Sequence, residues 1–331
     1  MNPQIAIHQL PSPVLAVDFL DDVVTHNISP SPIFTLFGEP VYFTNDMLMM
    51  LLTAGLMLYL FLNMARELKT NPVPTGFRNF LEAAMVFLRQ ELFVPMLGKW
   101  ADVFTPYLWT AFFFILFLNL LGMLPVNQLI ELTNYFTGWK IPEFWGGATG
   151  NVSFTAVMAL STFFIVHVSG IGAHIRAVRT RQENNLAGHE EAGVGHDDAV
   201  ATTAPAAKPN RVWPIAVVGG ILLYLKNMVP TVHWTLWPMM FGLELLGTLV
   251  KPLSLCMRLF AVMMSGPLVV AVFVSMIFMA ASYLTQSIIG LPVICFGVAF
   301  EALHLLEAFL QAFIFTLLSA AYIAAAVAPD H

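Results

Sequence analysis

Long apolar stretches alternate with short polar ones along this chain. Runs of mostly apolar residues lie near 47–65, 104–125, 152–172, 235–280 and 288–327, and a helix needs about 20 such residues to cross a bilayer. The pattern predicts an all-α integral membrane protein with about five transmembrane helices. The last two runs are too long for one perpendicular crossing. A helix over 235–280 would measure about 67 Å, roughly twice the hydrocarbon thickness, so these two are expected to form a long tilted helical hairpin. Residues 73–98 mix apolar positions with Arg78, Glu82, Arg89 and Glu91. That mixture predicts an amphipathic helix lying on the inner face of the membrane. Residues 212–225 are apolar but short, with Arg211 and Lys226 at their flanks. They are expected to be interfacial or re-entrant.

Basic residues set the orientation. The segment before Met47 carries Asp18, Asp21, Asp22, Glu39 and Asp46 but no Lys or Arg. Arg66, Lys69, Arg78, Arg89 and Lys99 follow the first run, and only Lys140 lies near 126–150. Arg176, Arg179, Arg181, Lys208, Arg211 and Lys226 follow the third. Five crossings with the N-terminus outside and the C-terminus cytoplasmic satisfy this alternation. Four regions result: an outer N-terminal segment 1–46, membrane helices within 47–181, a polar cytoplasmic insertion 182–210, and an interfacial segment with a channel-forming hairpin over 211–331.

Composition narrows the function. The chain is 58% hydrophobic and 10% charged, with a mean hydropathy of +0.76, whereas soluble chains carry about 25% charged residues. The net charge is −6 and no basic stripe exists, so no nucleic-acid partner is expected. Cys256 and Cys295 both lie in apolar runs and read as buried spectator thiols. The cluster His189, Glu190, Glu191, His196, Asp197 and Asp198 has metal-ligand residue types, but its Ala- and Pro-rich surroundings read as a solvated, disordered linker. No phosphate-binding loop is present, and neither a cofactor nor a metal is expected.

Ionisable groups inside apolar helices are costly, which makes each one a candidate functional residue. Glu244, Lys251 and Arg258 recur every seven residues, a spacing that returns to nearly the same helix face. Ser254 and Ser265 extend that seam. Arg258 is the deepest of the three. Inserting an Arg at the bilayer centre costs about 3 kcal/mol on translocon scales, and its guanidinium keeps its proton. In the final run His304, Glu307 and Gln311 share a side, which Glu301 and Ser319 extend. A histidine flanked by carboxylates is a plausible proton carrier. Facing polar seams on two antiparallel helices would enclose a hydrated groove for protons or small cations.

These residues resemble subunit a of F-type ATP synthases. The run ELLGTLVKPLSLCMRLFAVMMSG from Glu244 to Gly266 is similar to that family's signature. So are HLLEAFLQAFIF from His304 and FFFILFLNLLGMLP, which contains Asn119 and Pro125. The resemblance implies an ion-translocating, proton-type channel subunit of the Fo sector that is not catalytic alone. Its implied partners are a rotating ring of c subunits, the peripheral-stalk subunit b and membrane lipid, in a bacterial plasma membrane. It further implies two half-channels, with Arg258 facing the membrane carboxylate of the ring and Gln311 beside Arg258. Glu244, Asn119 and His304 match polar half-channel positions, and Asn127 takes a place that is acidic in some members. Two departures stand out. Val262 replaces an Asn four residues after the arginine, and Pro267 replaces a Glu or His nine residues after it.

With Pro267 unable to titrate, the outer relay is expected to pass to Glu301, His304 and Glu307, with His304 and Glu307 acting together. Glu244 and Lys251 would mark the inner exit. The main rival is a secondary transporter binding a small anionic solute at Arg258. It predicts repeated halves with paired broken helices, and the sequence contains no internal repeat.

Overall fold

The structure, a computed structural model, describes residues 34–36, 39–70, 73, 75–124, 126–139, 141, 145, 147–192, 217–220, 223–224, 237–278 and 283–327. Among the described residues the regular structure is helical apart from a two-stranded antiparallel ribbon, β1 (Phe34–Leu36) with β2 (Glu39–Val41), in which Thr35 pairs with Pro40. Five of its helical segments are long and apolar enough to cross a membrane: Asn45–Lys69, Gly76–Gly122, Val152–Arg181, Met239–Gly266 and Pro292–Val327. The all-α, five-span architecture expected from the sequence is present.

Helix α1 (Asn45–Thr70) is followed by α2 (Gly76–Phe87), a π-helical turn (Leu88–Phe93), α3 (Val94–Leu97) and a 3₁₀ turn (Gly98–Trp100). Helix α4 (Ala101–Gly122) continues from there. The break falls at Gly98, whose φ of 53° and ψ of −121° suit glycine and let the chain turn into the span. The amphipathic stretch is held at three points. Arg78 of α2 pairs with Glu67 of α1 at 3.8 Å, and Arg89 pairs with Asp102 of α4 at 2.7 Å. Trp109 Nε1 donates to the Met85 carbonyl at 3.0 Å.

Helix α5 (Val126–Thr137) occupies part of what sequence pattern alone leaves as an outer loop. A short 3₁₀ turn (Ala148–Gly150) precedes α6 (Val152–Ala192). Helix α6 runs on through residues 182–192, so the start of the polar insertion is helical rather than linker. The Glu, Gln, Leu and Ala in that stretch are good helix formers, which favours continuation. Residues 193–210, and the side chains of the His189–Asp198 cluster, lie outside the described ones. Helices α7 (Trp237–Phe278) and α8 (Tyr283–Val327) complete the chain.

Two compact units divide the chain. The first comprises Met1–Ala159 and Leu253–Leu317, the second Leu160–Pro252 and Leu318–His331. In the first, α4 is enclosed on most sides, with Leu108, Ala111, Phe112, Phe113, Ile115 and Leu118 buried. Met49, Leu118, Ala148 and Phe154 form a cluster, and Phe112 meets Phe309 of α8 edge-on at 6.0 Å. Residues 145–151 are tied into this unit by two bonds. Trp145 Nε1 donates to the Leu121 carbonyl at 2.8 Å, and Asn151 Nδ2 donates to Asp46 Oδ2 at 2.7 Å.

Candidate functional site

The buried stripe of α8 in the first unit runs His304, Ala308, Gln311, Ala312, Phe315. This spacing of three and four is that of one packed helix face. His304 and Gln311 are therefore buried, whereas Glu301 and Glu307 are exposed. A single side for all four, as the sequence pattern suggests, divides in the structure into a packed pair and an outward pair. His304 Nδ1 lies 3.9 Å from Glu301 Oε2. The carboxylate beside the imidazole is thus that of Glu301, and no ion pair joins His304 to Glu307. Both spacings are three residues, so the sequence could not rank them; both carboxylates are exposed, and the 3.9 Å approach of Glu301 to His304 Nδ1 separates them.

Gly266 of α7 explains why His304 fits. A Cβ built at Gly266 would overlap the His304 ring, so the imidazole lies directly on the α7 backbone. Any side chain there would displace the ring. Gly266 has no side-chain chemistry by which the sequence could signal this contact, and the side chain of its neighbour Pro267 lies outside the described ones.

Arg258 is half-buried, at the margin of the α7 face formed by Leu255, Cys256, Leu259 and Met263. No hydrogen bond or ion pair reaches its guanidinium from the described residues. Ser254 is exposed, and Ser265 donates to the Val262 carbonyl at 2.7 Å. The seam therefore runs along the open edge of α7 rather than into its packed side. Cys256 is buried with its Sγ 3.4 Å from Thr155 Oγ1, and Cys295 is exposed; both thiols are free. The buried thiol agrees with the sequence reading and the exposed one does not.

Several polar atoms in the first unit are buried without a partner. They are both amide atoms of Asn119, Thr149 Oγ1, His304 Nε2 and Gln311 Nε2. Each such group costs about 1–3 kcal/mol if left dry, and buried polar groups in folded proteins are normally satisfied by protein or by ordered water. Three of the four residues are ones the sequence singled out. Thr149 is the addition, and its 3₁₀ turn packs against α4, where Gly122 closely approaches Gly147. Asn127 lies on α5, with its side chain outside the described ones.

The second unit contains the remaining candidates. Glu244 is half-buried and Lys251 is exposed, with Lys251 Nζ 5.6 Å from the centre of the Tyr322 ring. Ser319 is buried. Among the described residues no group of three His, Cys, Asp or Glu side chains has a metal-binding arrangement.

The profile of the family described as "ATP synthase A chain" matches residues 47–179 and 214–324, most of the chain. The chain belongs to the ATP synthase subunit a family. Among its relatives is "ATP synthase subunit a 2" of Prosthecochloris aestuarii, 29% identical over 325 residues, covering 93% of this chain and 80% of the relative. Subunit a of Anaeromyxobacter dehalogenans is 34% identical over 302 residues, covering 87% and 61% respectively. Subunit a of Chlorobium phaeobacteroides is 28% identical over 297 residues, covering 89% and 68%. This subunit a is thus a multi-pass membrane component of an ATP synthase, with the ion-translocating role of the Fo sector. It is a non-catalytic part of that complex, which excludes an enzyme acting alone. The insertion near 182–210 falls largely in the gap between the two matched stretches.

Proposed function

We propose that this subunit a provides two half-channels for protons and presents Arg258 to the ionised carboxylate of a rotating c ring. One observation carries this reading: Arg258 is a half-buried, permanently charged group on an apolar helix with no partner among the described residues. A charge of that kind in a membrane helix is stable when it meets an opposite charge or water. With no carboxylate among the described residues in reach, an ionised carboxylate on a neighbouring subunit fits as the partner. Its fixed charge then attracts each arriving carboxylate and keeps protons from passing straight between the half-channels. A transporter binding an anionic solute at Arg258 would use the same charge, but the family membership favours the ring.

Counting from the contact between Gly266 and His304, Arg258 lies about 12 Å along α7 and Gln311 about 10 Å along α8. Consecutive spans joined by a short link run in opposite directions, so these two residues sit at similar depth in this reading. Asn119, His304 and Gln311, with Glu301 at the margin, line the outer half-channel; their unpaired atoms are the places where water binds. Glu307, outward and unpaired, faces the ring or lipid. Glu244 and Lys251 belong to the inner exit, and Ser254 and Asn127 are secondary polar positions. The N-terminus is outside and the C-terminus cytoplasmic, residues 182–210 form a cytoplasmic insertion, and subunit b is the stalk partner.

Two measurements test this. Purification of the complex through a tag on this chain, resolved by subunit mass, is expected to bring down a ring of small hairpin subunits. Recovery of the chain alone from intact membranes would contradict the reading. In a background without Cys256 and Cys295, Glu190→Cys is expected to label only from the cytoplasmic side and Leu20→Cys only from the outside. Labelling of both from one face would require an even number of crossings.

A further inference from the structure

The third span carries an ionisable cluster that the family signature does not involve. His167 Nδ1 and Tyr224 Oη lie 2.6 Å apart. His167 also packs edge-on against Phe163, at 4.2 Å between centroids. The His174 ring lies 5.5 Å from the Tyr224 ring, and His174 Nδ1 bonds to the Gly170 carbonyl at 2.8 Å. Lys251 of α7 lies over the Tyr322 ring of α8, 5.6 Å from its centre. Among the described residues, these are the titratable and charged groups that accompany His167 in the second unit.

Tyr224 reaches this place because the 217–224 segment folds back along α6. Gly220 lies against the Ile175 backbone, Gly219 near Val178, and the Tyr224 ring against Gly170. Side chains at Gly220 or Gly170 would prevent the approach. His167 is nine residues from Arg176, the first of the basic residues that end the span, so the pair is about 13 Å along α6 from that charged end. Broken backbone at membrane depth is tolerated where it is buried in protein or lines a water-filled cavity. Ionisable side chains at that depth mark ion pathways.

We infer that His167 and Tyr224 form a proton-transfer pair on the inner side of the ion path. A proton arriving at Nε2 of a neutral ring whose Nδ1 carries hydrogen makes an imidazolium. The Nδ1 proton then passes to the Tyr224 oxygen while the hydroxyl proton leaves to water. One proton enters and one leaves, and both side chains end neutral. This inference rests on the channel reading above.

The test is passive proton conduction through the membrane sector in vesicles stripped of the catalytic sector, expressed per assembled complex, with the pH of the inner-side medium varied. Tyr224→Phe keeps the ring against Gly170 and removes the hydroxyl. It is expected to slow conduction on the order of ten-fold, with a changed pH profile and normal assembly. His167→Gln is expected to act alike, and the double variant to be no slower than the slower single. Tyr224→Ala serves as the packing control and is expected to lower assembly. Wild-type conduction by Tyr224→Phe across the whole pH range would overturn the pair, as would an effect confined to assembly. If that occurs while Arg258→Ala still abolishes ATP-driven pumping, only the pair fails; if Arg258→Ala pumps normally, the channel reading itself fails.

Discussion

The two units handle buried polarity in opposite ways. In the first, Asn119, Thr149, His304 and Gln311 are buried, with side-chain atoms that no described residue satisfies. In the second, His167 is bonded to Tyr224 and His174 to Gly170. Groups already paired add to packing and can hand a proton along a fixed bond. Unpaired groups weaken packing, and their retention makes sense where water must enter. The contrast fits the proposed half-channel, which would admit water to the first unit, within a chain whose composition is apolar throughout.

The largest expected effect comes from the point where the first unit has no slack. Gly266→Val would drive the His304 ring off α7, and proton conduction per assembled complex should fall to background. Near-normal conduction would show that the ring's place is immaterial. Asn119→Leu sharpens the contrast between stability and function. Removing a buried amide that no described residue satisfies should leave assembly and thermal stability unchanged, while conduction falls several-fold. A clear loss of stability, read by detergent melting, would mean that the Asn119 amide is satisfied within the complex. Smaller still is the difference between two carboxylates. Glu301→Gln should slow conduction more than Glu307→Gln, because Glu301 lies 3.9 Å from His304 and Glu307 points outward. Equal effects of the two would restore Glu307 to the relay.

Much of this was legible in the sequence because membrane helices must announce themselves by length and hydropathy. The five spans follow from that rule, and Arg258, His304, Gln311 and Asn119 stand out as polar residues where polarity is costly. What stayed hidden depends on contacts between distant segments. Periodicity places Glu301 and Glu307 equally near His304, and only the contact between Glu301 and the His304 ring distinguishes them. Gly266 carries no chemistry of its own, so its role appears only once the imidazole is seen against it. His167 offered a readable signal, an ionisable residue within the third apolar run, but its partner Tyr224 lies 57 residues away in the chain. The start of the 182–210 insertion was misread because polar composition was taken for irregular backbone, although Glu, Gln and Ala extend a helix readily.

The most direct test of the central claim is ATP-driven proton uptake by inverted vesicles whose complexes carry Arg258→Ala. The account predicts that the complex assembles, retains its c ring and pumps no protons, because no other fixed positive charge stands beside the ring carboxylate. Arg258→Lys should fail as well, since a desolvated lysine can lose its proton and cannot present the planar guanidinium. Coupled pumping at the wild-type rate by the assembled Arg258→Ala complex would contradict the account.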